Sequence, residues 1–162
     1  MSDTVLLEGR NVWTVNANPG VAVRGESLRK FRGVEHRRWD PNRSKLGAGL
    51  LRTRNDPSLL LPNAGSTVLY LGAGHGTTIS HLHDHLCGAK NRFEGRLVAV
   101  DLAPRCLRDL TYLAEHRLCS ASRCLLSFDA EIKVTLGFVL EEVAAGVSFA
   151  LATGVSFALG TG

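Results

Sequence analysis

A chain of 162 residues with 44% hydrophobic and 21% charged residues is long enough for one covered sheet and too apolar for a disordered polymer. Its formal charge of +4 is carried entirely by the N-terminal third, where residues 1–56 hold 11 Lys/Arg against 6 Asp/Glu while the remainder holds 8 against 9. Four cysteines without a CxxC pair argue against a zinc ribbon and, with no signal-peptide pattern, predict reduced thiols in a cytoplasmic protein.

Between Thr4 and Asp40, short β-prone runs (VLL, VWTV, VAV, LRKF) are broken by Glu8-Gly9, Asn18-Pro19-Gly20 and Arg24-Gly25-Glu26. That spacing predicts a small antiparallel sheet forming a β subdomain over residues 1–40. Asp40-Pro41-Asn42-Arg43-Ser44 offers helix-start chemistry for a helix over 45–51, which Asn55-Asp56-Pro57 closes. Residues 29–54 carry nine basic side chains and two acidic ones, a density that suits a phosphate-rich partner if they share a face and a solvated surface if they do not.

TVLYL at 67–71, bounded by Gly65 and Gly72, reads as a buried strand, and a helix over 77–86 follows. A second apolar run over 97–100 ends at Asp101, after which Pro104 opens a helix over 105–116. Strand, glycine turn, helix, strand, acid, helix is the order of a parallel α/β sheet, here assigned to a core over residues 41–142. Residues 124–128 read as a third strand, and 134–142 fits helix and strand equally. Residues 146–161 are a tandem octapeptide repeat, GVSFALAT then GVSFALGT, inside an uncharged tail over 143–162. The tail approaches the length of a membrane span, but four glycines and four hydroxyl residues favour two strands or an aggregation-prone tail instead.

The chemistry concentrates in Gly72-Ala73-Gly74-His75-Gly76-Thr77-Thr78. Glycines after a buried strand let the backbone turn sharply and approach a ligand, and the next helix offers free N–H groups. A dinucleotide site prefers GxGxxG, whereas GxGxG with a threonine pair suits a ligand without a pyrophosphate. S-adenosyl-L-methionine fits, with Asp101 at the next strand end placed to accept from the ribose hydroxyls; the competing reading is a glycine turn without a ligand. His81, His83 and His85 resemble metal ligands, but only His81 and His85 share a helix face, so surface histidines and no metal are expected.

VAVRGESLRKFRGVEHRRWDPNRSKLGAGLL (21–51) closely resembles the archaeal fibrillarin stretch V-x-G-E-x-L-x-K-x-x-G-V-E-Y-R-x-W-x-x-x-R-S-K-L. VLYLGAGHGTTISHLHD is similar to that family's glycine loop and helix, with Gly72, Gly76, Thr77, Thr78, Ser80, His81 and Asp84 in matching places. VAVDLAPRCLRDL resembles its acid-x-x-Pro-Arg segment, with Asp101 where a glutamate is usual and Leu102 where an aromatic is usual. LLSFDA, ending at Asp129-Ala130, is similar to the family's L-L-A-D-A, whose acid would reach the adenine amino group.

The resemblance implies a Rossmann-like S-adenosylmethionine-dependent methyltransferase fold behind a small N-terminal antiparallel β subdomain. It implies a 2′-O-methyltransferase acting on rRNA or tRNA ribose under box C/D guide RNA direction, docked on a Nop-type scaffold protein in an archaeal-type cytoplasm, without metal or membrane. Gly72, Thr77, Thr78, Asp101, Leu102, Asp129 and Ala130 would bind cofactor, and Lys45 in R-S-K-L matches the family's first catalytic lysine. The family's strand ending in D-I-A-Q, its second lysine and its D-H-A segment have no counterpart in this sequence. The alternatives are therefore an inactive or truncated ribonucleoprotein component and, more remotely, a nicotinamide-dependent dehydrogenase fragment.

Overall fold

The computed structural model describes residues 4–53, 57–101, 103–116, 148–151 and 156–158. Strands β1 (Val5–Glu8), β2 (Asn11–Val15), β3 (Leu28–Phe31) and β4 (Val34–Trp39) form an antiparallel sheet in the order β1-β2-β4-β3. The VAV run at 21–23 is not one of these strands, and the charged sequence VEHRRW supplies the fourth instead. Carboxylates explain the difference: Glu35 accepts from the Gly20 amide at 2.7 Å, while Glu26 accepts from the amides of Val23 and Arg24 at 2.9 and 2.7 Å. Those backbone donors are satisfied in a loop and do not need a strand partner.

Ser44 caps α1 (Lys45–Arg52), its hydroxyl accepting from the Gly47 amide at 3.0 Å. Gly47 has no side chain where the helix meets Trp39; a Cβ there would lie 3.1 Å from the indole nitrogen. The second sheet is built on β5 (Thr67–Leu71), which pairs in parallel with β6 (Arg96–Val100) on one side and β7 (Ser148–Leu151) on the other. β8 (Ser156–Ala158) continues it antiparallel to β7, so each copy of the octapeptide repeat contributes a strand to one sheet. The proposed strand at 124–128 and the ambiguous segment at 134–142 lie outside the described residues.

Helix α2 (Thr77–Cys87) is buried along almost its whole length. Its Ile79, Leu82 and Leu86 share one apolar cluster with Val12 and Trp39 of the first sheet, Val68 and Leu97 of the second, and Leu110 of α3 (Pro104–His116). The histidines expected at the surface are consequently interior: His81, His83 and His85 are each 2% exposed. His81 stacks on Trp39 at 4.9 Å and 11°, and His85 bonds to Thr4 and to the Pro62 carbonyl. Among the described residues, no group of three His, Cys, Asp or Glu is placed to hold a metal, and no helix is long and apolar enough to cross a membrane.

The basic stretch does not share one face either, because Arg37 points inward and is fully buried. Its guanidinium donates to Asp84 at 2.9 Å, to Glu26 and to Ser80, joining β4, the loop before β3 and α2. Burial pushes the Glu26 carboxyl up, but the Val23 and Arg24 amides and the Arg37 guanidinium outweigh it and lower its pKa to about 2. Burial also pushes the His85 imidazole below its ordinary 6.5, against the Pro62 carbonyl.

Both groups predict acid lability, because the unfolded chain takes up protons that the folded chain resists. His85 contributes stability that declines as the pH falls below 6.5, and Glu26 contributes stability present above 4.5 and lost on the way to about 2. Urea midpoints measured across this range are expected to fall in two stages; a midpoint unchanged between neutral pH and pH 3 would contradict both assignments.

Candidate active site

At the carboxyl end of β5 the chain turns through three glycines with positive φ, Gly72 at 78°, Gly74 at 58° and Gly76 at 87°. Side chains rarely adopt such angles, which is why the turn needs glycine. The amides of Gly72 and Ala73 donate to the Val100 carbonyl at 2.8 and 3.0 Å, tying the loop to the end of β6. Asp101 completes this frame: one carboxylate oxygen accepts from the Gly74 amide at 2.7 Å and the other from the Ala103 amide at 2.8 Å. Each oxygen keeps a second lone pair for a ligand donor.

A cavity of about 610 Å³ opens over the loop. Lys45, Tyr70, Gly72, Thr77 and Thr78 line it, and the N-termini of α1 and α2 meet there through a hydrogen bond from the Thr78 hydroxyl to Ser44 at 2.9 Å. Burial raises the pKa of the Tyr70 phenol, partly offset by its hydrogen bond with Thr78. Arg24 and Arg43 join Lys45 around the space, so two helix N-termini and three cations face one carboxylate, Asp109. That field suits a ligand carrying an anionic group.

The structure thus brings Lys45, Gly72, Thr77 and Thr78 to one cavity, while Asp101 is not among its lining residues and holds the edge of the loop through the Gly74 amide. Leu102, Asp129 and Ala130 lie outside the described residues. Sequence reasoning missed a clasp at the rim. Arg24 donates to the His75 carbonyl and lies 3.6 Å from Asp109, and His75 Nδ1 bonds to the same carboxylate at 2.8 Å. The His75 hydrogen bond, with Arg24 nearby, holds the Asp109 pKa below its ordinary value. No local pattern announces this clasp, since its members are 51 and 34 residues apart.

A glycine loop and a strand-end acid at the carboxyl edge of a parallel sheet define a Rossmann-like nucleotide-type site. The family model described as Fibrillarin matches residues 5–120, and the chain belongs to the fibrillarin family. It is 47% identical over 113 residues to the fibrillarin-like rRNA/tRNA 2′-O-methyltransferase of Methanosarcina barkeri, covering 70% of this chain and 46% of that one. The corresponding protein of Thermococcus gammatolerans is 46% identical over 105 residues, 64% of this chain and 42% of its own. The crystal structure of Aeropyrum pernix fibrillarin with natively bound S-adenosyl-L-methionine superposes with a TM-score of 0.61 at 34% identity, over 76% of this chain and 50% of that one. The Methanococcus jannaschii fibrillarin pre-rRNA processing protein gives 0.60 at 28% identity, over 80% and 51%. The fold is that of these fibrillarins, and the chain spans about half the length of the relatives it matches.

Proposed function

We propose that the cavity over the glycine loop holds S-adenosyl-L-methionine and that the chain serves as the cofactor-binding part of an RNA 2′-O-methyltransferase. The substrates would be rRNA and tRNA riboses selected by box C/D guide RNA, with a Nop-type protein as scaffold, in an archaeal-type cytoplasm. The observation that carries this reading is the pairing of a glycine cradle, framed by Asp101, with an exposed lysine on the same cavity.

Gly72 lets the backbone approach the ligand, while the Thr77 hydroxyl and the Thr77 and Thr78 amides at the α2 N-terminus offer donors for its amino-acid carboxylate. Asp101 accepts from the ribose hydroxyls with its remaining lone pairs. Leu102, Asp129 and Ala130 complete the adenosine side by resemblance alone. When bound, the cofactor supplies the methyl group. Lys45 would stabilise the negative charge that builds on the RNA 2′-oxygen as the hydroxyl proton passes to solvent water.

Calorimetric titration tests the cofactor directly: S-adenosyl-L-methionine should bind, and tight binding of NAD without it would sink the proposal. Asp101→Ala is expected to weaken cofactor binding roughly 10- to 150-fold, the effect of losing a charge-assisted hydrogen bond worth about 1.5–3 kcal/mol. An unchanged affinity would place the ribose elsewhere.

The share of the relatives that is matched favours a second reading. The chain spans about half the length of the relatives it matches, which suits a ribonucleoprotein component that binds cofactor without using it. Transfer of a labelled methyl group to guide-directed RNA separates the two.

A further inference from the structure

The first three residues of the glycine loop are tied to the end of β6, through the Val100 carbonyl and the Asp101 carboxylate. Its last two residues face other elements. Gly76 lies against α3, where a Cβ would sit 2.9 Å from Leu113 and 3.1 Å from Leu110. On the same helix, Asp109 Oδ2 accepts from His75 Nδ1 at 2.8 Å; an ionised carboxylate has no proton to give, so the imidazole is the donor. Arg24, from the loop before β3, donates through Nη2 to the His75 carbonyl and brings that nitrogen within 3.6 Å of the same carboxylate oxygen. Arg108 Nε stands 4.0 Å from the other oxygen. Arg24 is itself anchored, because Glu26 accepts from its amide at 2.7 Å and also pairs with the buried Arg37.

We infer that Arg24, His75 and Asp109 are positioning residues for the cofactor: their clasp holds the glycine loop in its binding conformation before the ligand arrives. The inference rests on the S-adenosyl-L-methionine reading of the cavity that all three residues line. Glycines at 72, 74 and 76 give an unclasped loop many backbone states, and freedom that is lost only on binding is subtracted from affinity. The clasp itself is half open to water, with side-chain exposures of 35% for Arg24, 28% for Asp109 and 59% for His75. Its ion pairs are therefore screened and add little to global stability, so its effect falls on the loop. The competing account is direct attraction between the Asp109 carboxylate and the cofactor's sulfonium.

Calorimetry on the full chain separates the two accounts, using S-adenosyl-L-methionine and S-adenosyl-L-homocysteine, which lacks the sulfonium charge. Asp109→Ala is expected to weaken both ligands by the same factor, roughly five- to thirtyfold, the entropic cost of ordering about one backbone residue on binding. Adding His75→Ala should cost little more, because the two side chains act through one hydrogen bond. Arg24→Lys, which keeps a cationic donor, should lose less affinity than Arg24→Ala. In the ligand-free protein, amide hydrogen exchange over residues 72–76 should be faster in Asp109→Ala than in wild type, at nearly the same melting temperature.

Unchanged cofactor affinity in Asp109→Ala overturns the inference. A loss confined to S-adenosyl-L-methionine does so too, since it would make Asp109 a direct charge partner of the sulfonium. Additive losses from Asp109→Ala and His75→Ala would likewise overturn it, as independent contacts with the ligand, and so would unchanged amide exchange in the loop. If wild type binds neither ligand, the cofactor reading of the cavity fails. Faster exchange in Asp109→Ala would then still show the clasp ordering the loop, and unchanged exchange would remove that as well.

Discussion

Arg37→Met is expected to cost about 3–5 kcal/mol of folding stability, the range for breaking a buried ion pair by removing one partner. The arginine is wholly buried and its acceptors are nearly so, Asp84 at 1% and Glu26 at 12% side-chain exposure. With the guanidinium gone, Asp84, Glu26 and the Ser80 hydroxyl each lose one donor, although Glu26 keeps the Val23 and Arg24 amides. The damage would spread because the network ties β4 to α2, and α2 carries the glycine loop at its N-terminus. Urea denaturation followed by circular dichroism reads the loss. A single-variant loss below about 1 kcal/mol, the range of an exposed pair, would mean that the network is solvated after all.

Lys45→Ala is expected to slow methyl transfer by roughly a hundredfold or more, the usual effect of removing one donor to a developing oxyanion. Cofactor affinity should fall far less than the rate, because exposed Lys45 adds only a solvent-screened share of the cavity's positive field while the oxyanion forms only during reaction. Lys45 is well suited to such a test. It is the first residue of α1, it is exposed, and the cap that holds the helix runs from Gly47 to Ser44 without it. Single-turnover assays with labelled cofactor, guide RNA and scaffold protein measure the rate, and calorimetry measures the binding. Equal rates for the two proteins would make Lys45 a helix-surface cation with no part in the chemistry.

The elements around the cofactor cavity were legible from residue order because their signals are local. TVLYL between two glycines is β5 over the expected 67–71, and the helices expected at 45–51, 77–86 and 105–116 differ from Lys45–Arg52, Thr77–Cys87 and Pro104–His116 by one residue at an end. Ser44, Pro104 and the glycine turn each act on their immediate neighbours, through a cap, a fixed φ and a left-handed backbone. The glycine loop and the strand-end acid could therefore be named in advance. That Asp101 grips the Gly74 amide could not, because it needs the parallel pairing of β5 with β6.

What sequence by itself determined, then, is the strand–loop–helix order and the residues of the cradle, since these follow from periodicity and turn chemistry within a few positions. Only the tertiary structure decided that Arg37 is interior, 47 residues from the Asp84 it pairs with, that three histidines are core residues, and that Arg24 and Asp109 close over the glycine loop. It alone decided, too, that VEHRRW is a strand while VAV is not. In each case the outcome depends on what a distant segment places beside the residue. A charged or imidazole side chain is buried only when a partner there supplies its hydrogen bonds, and the residue's own neighbours in sequence do not reveal whether one will.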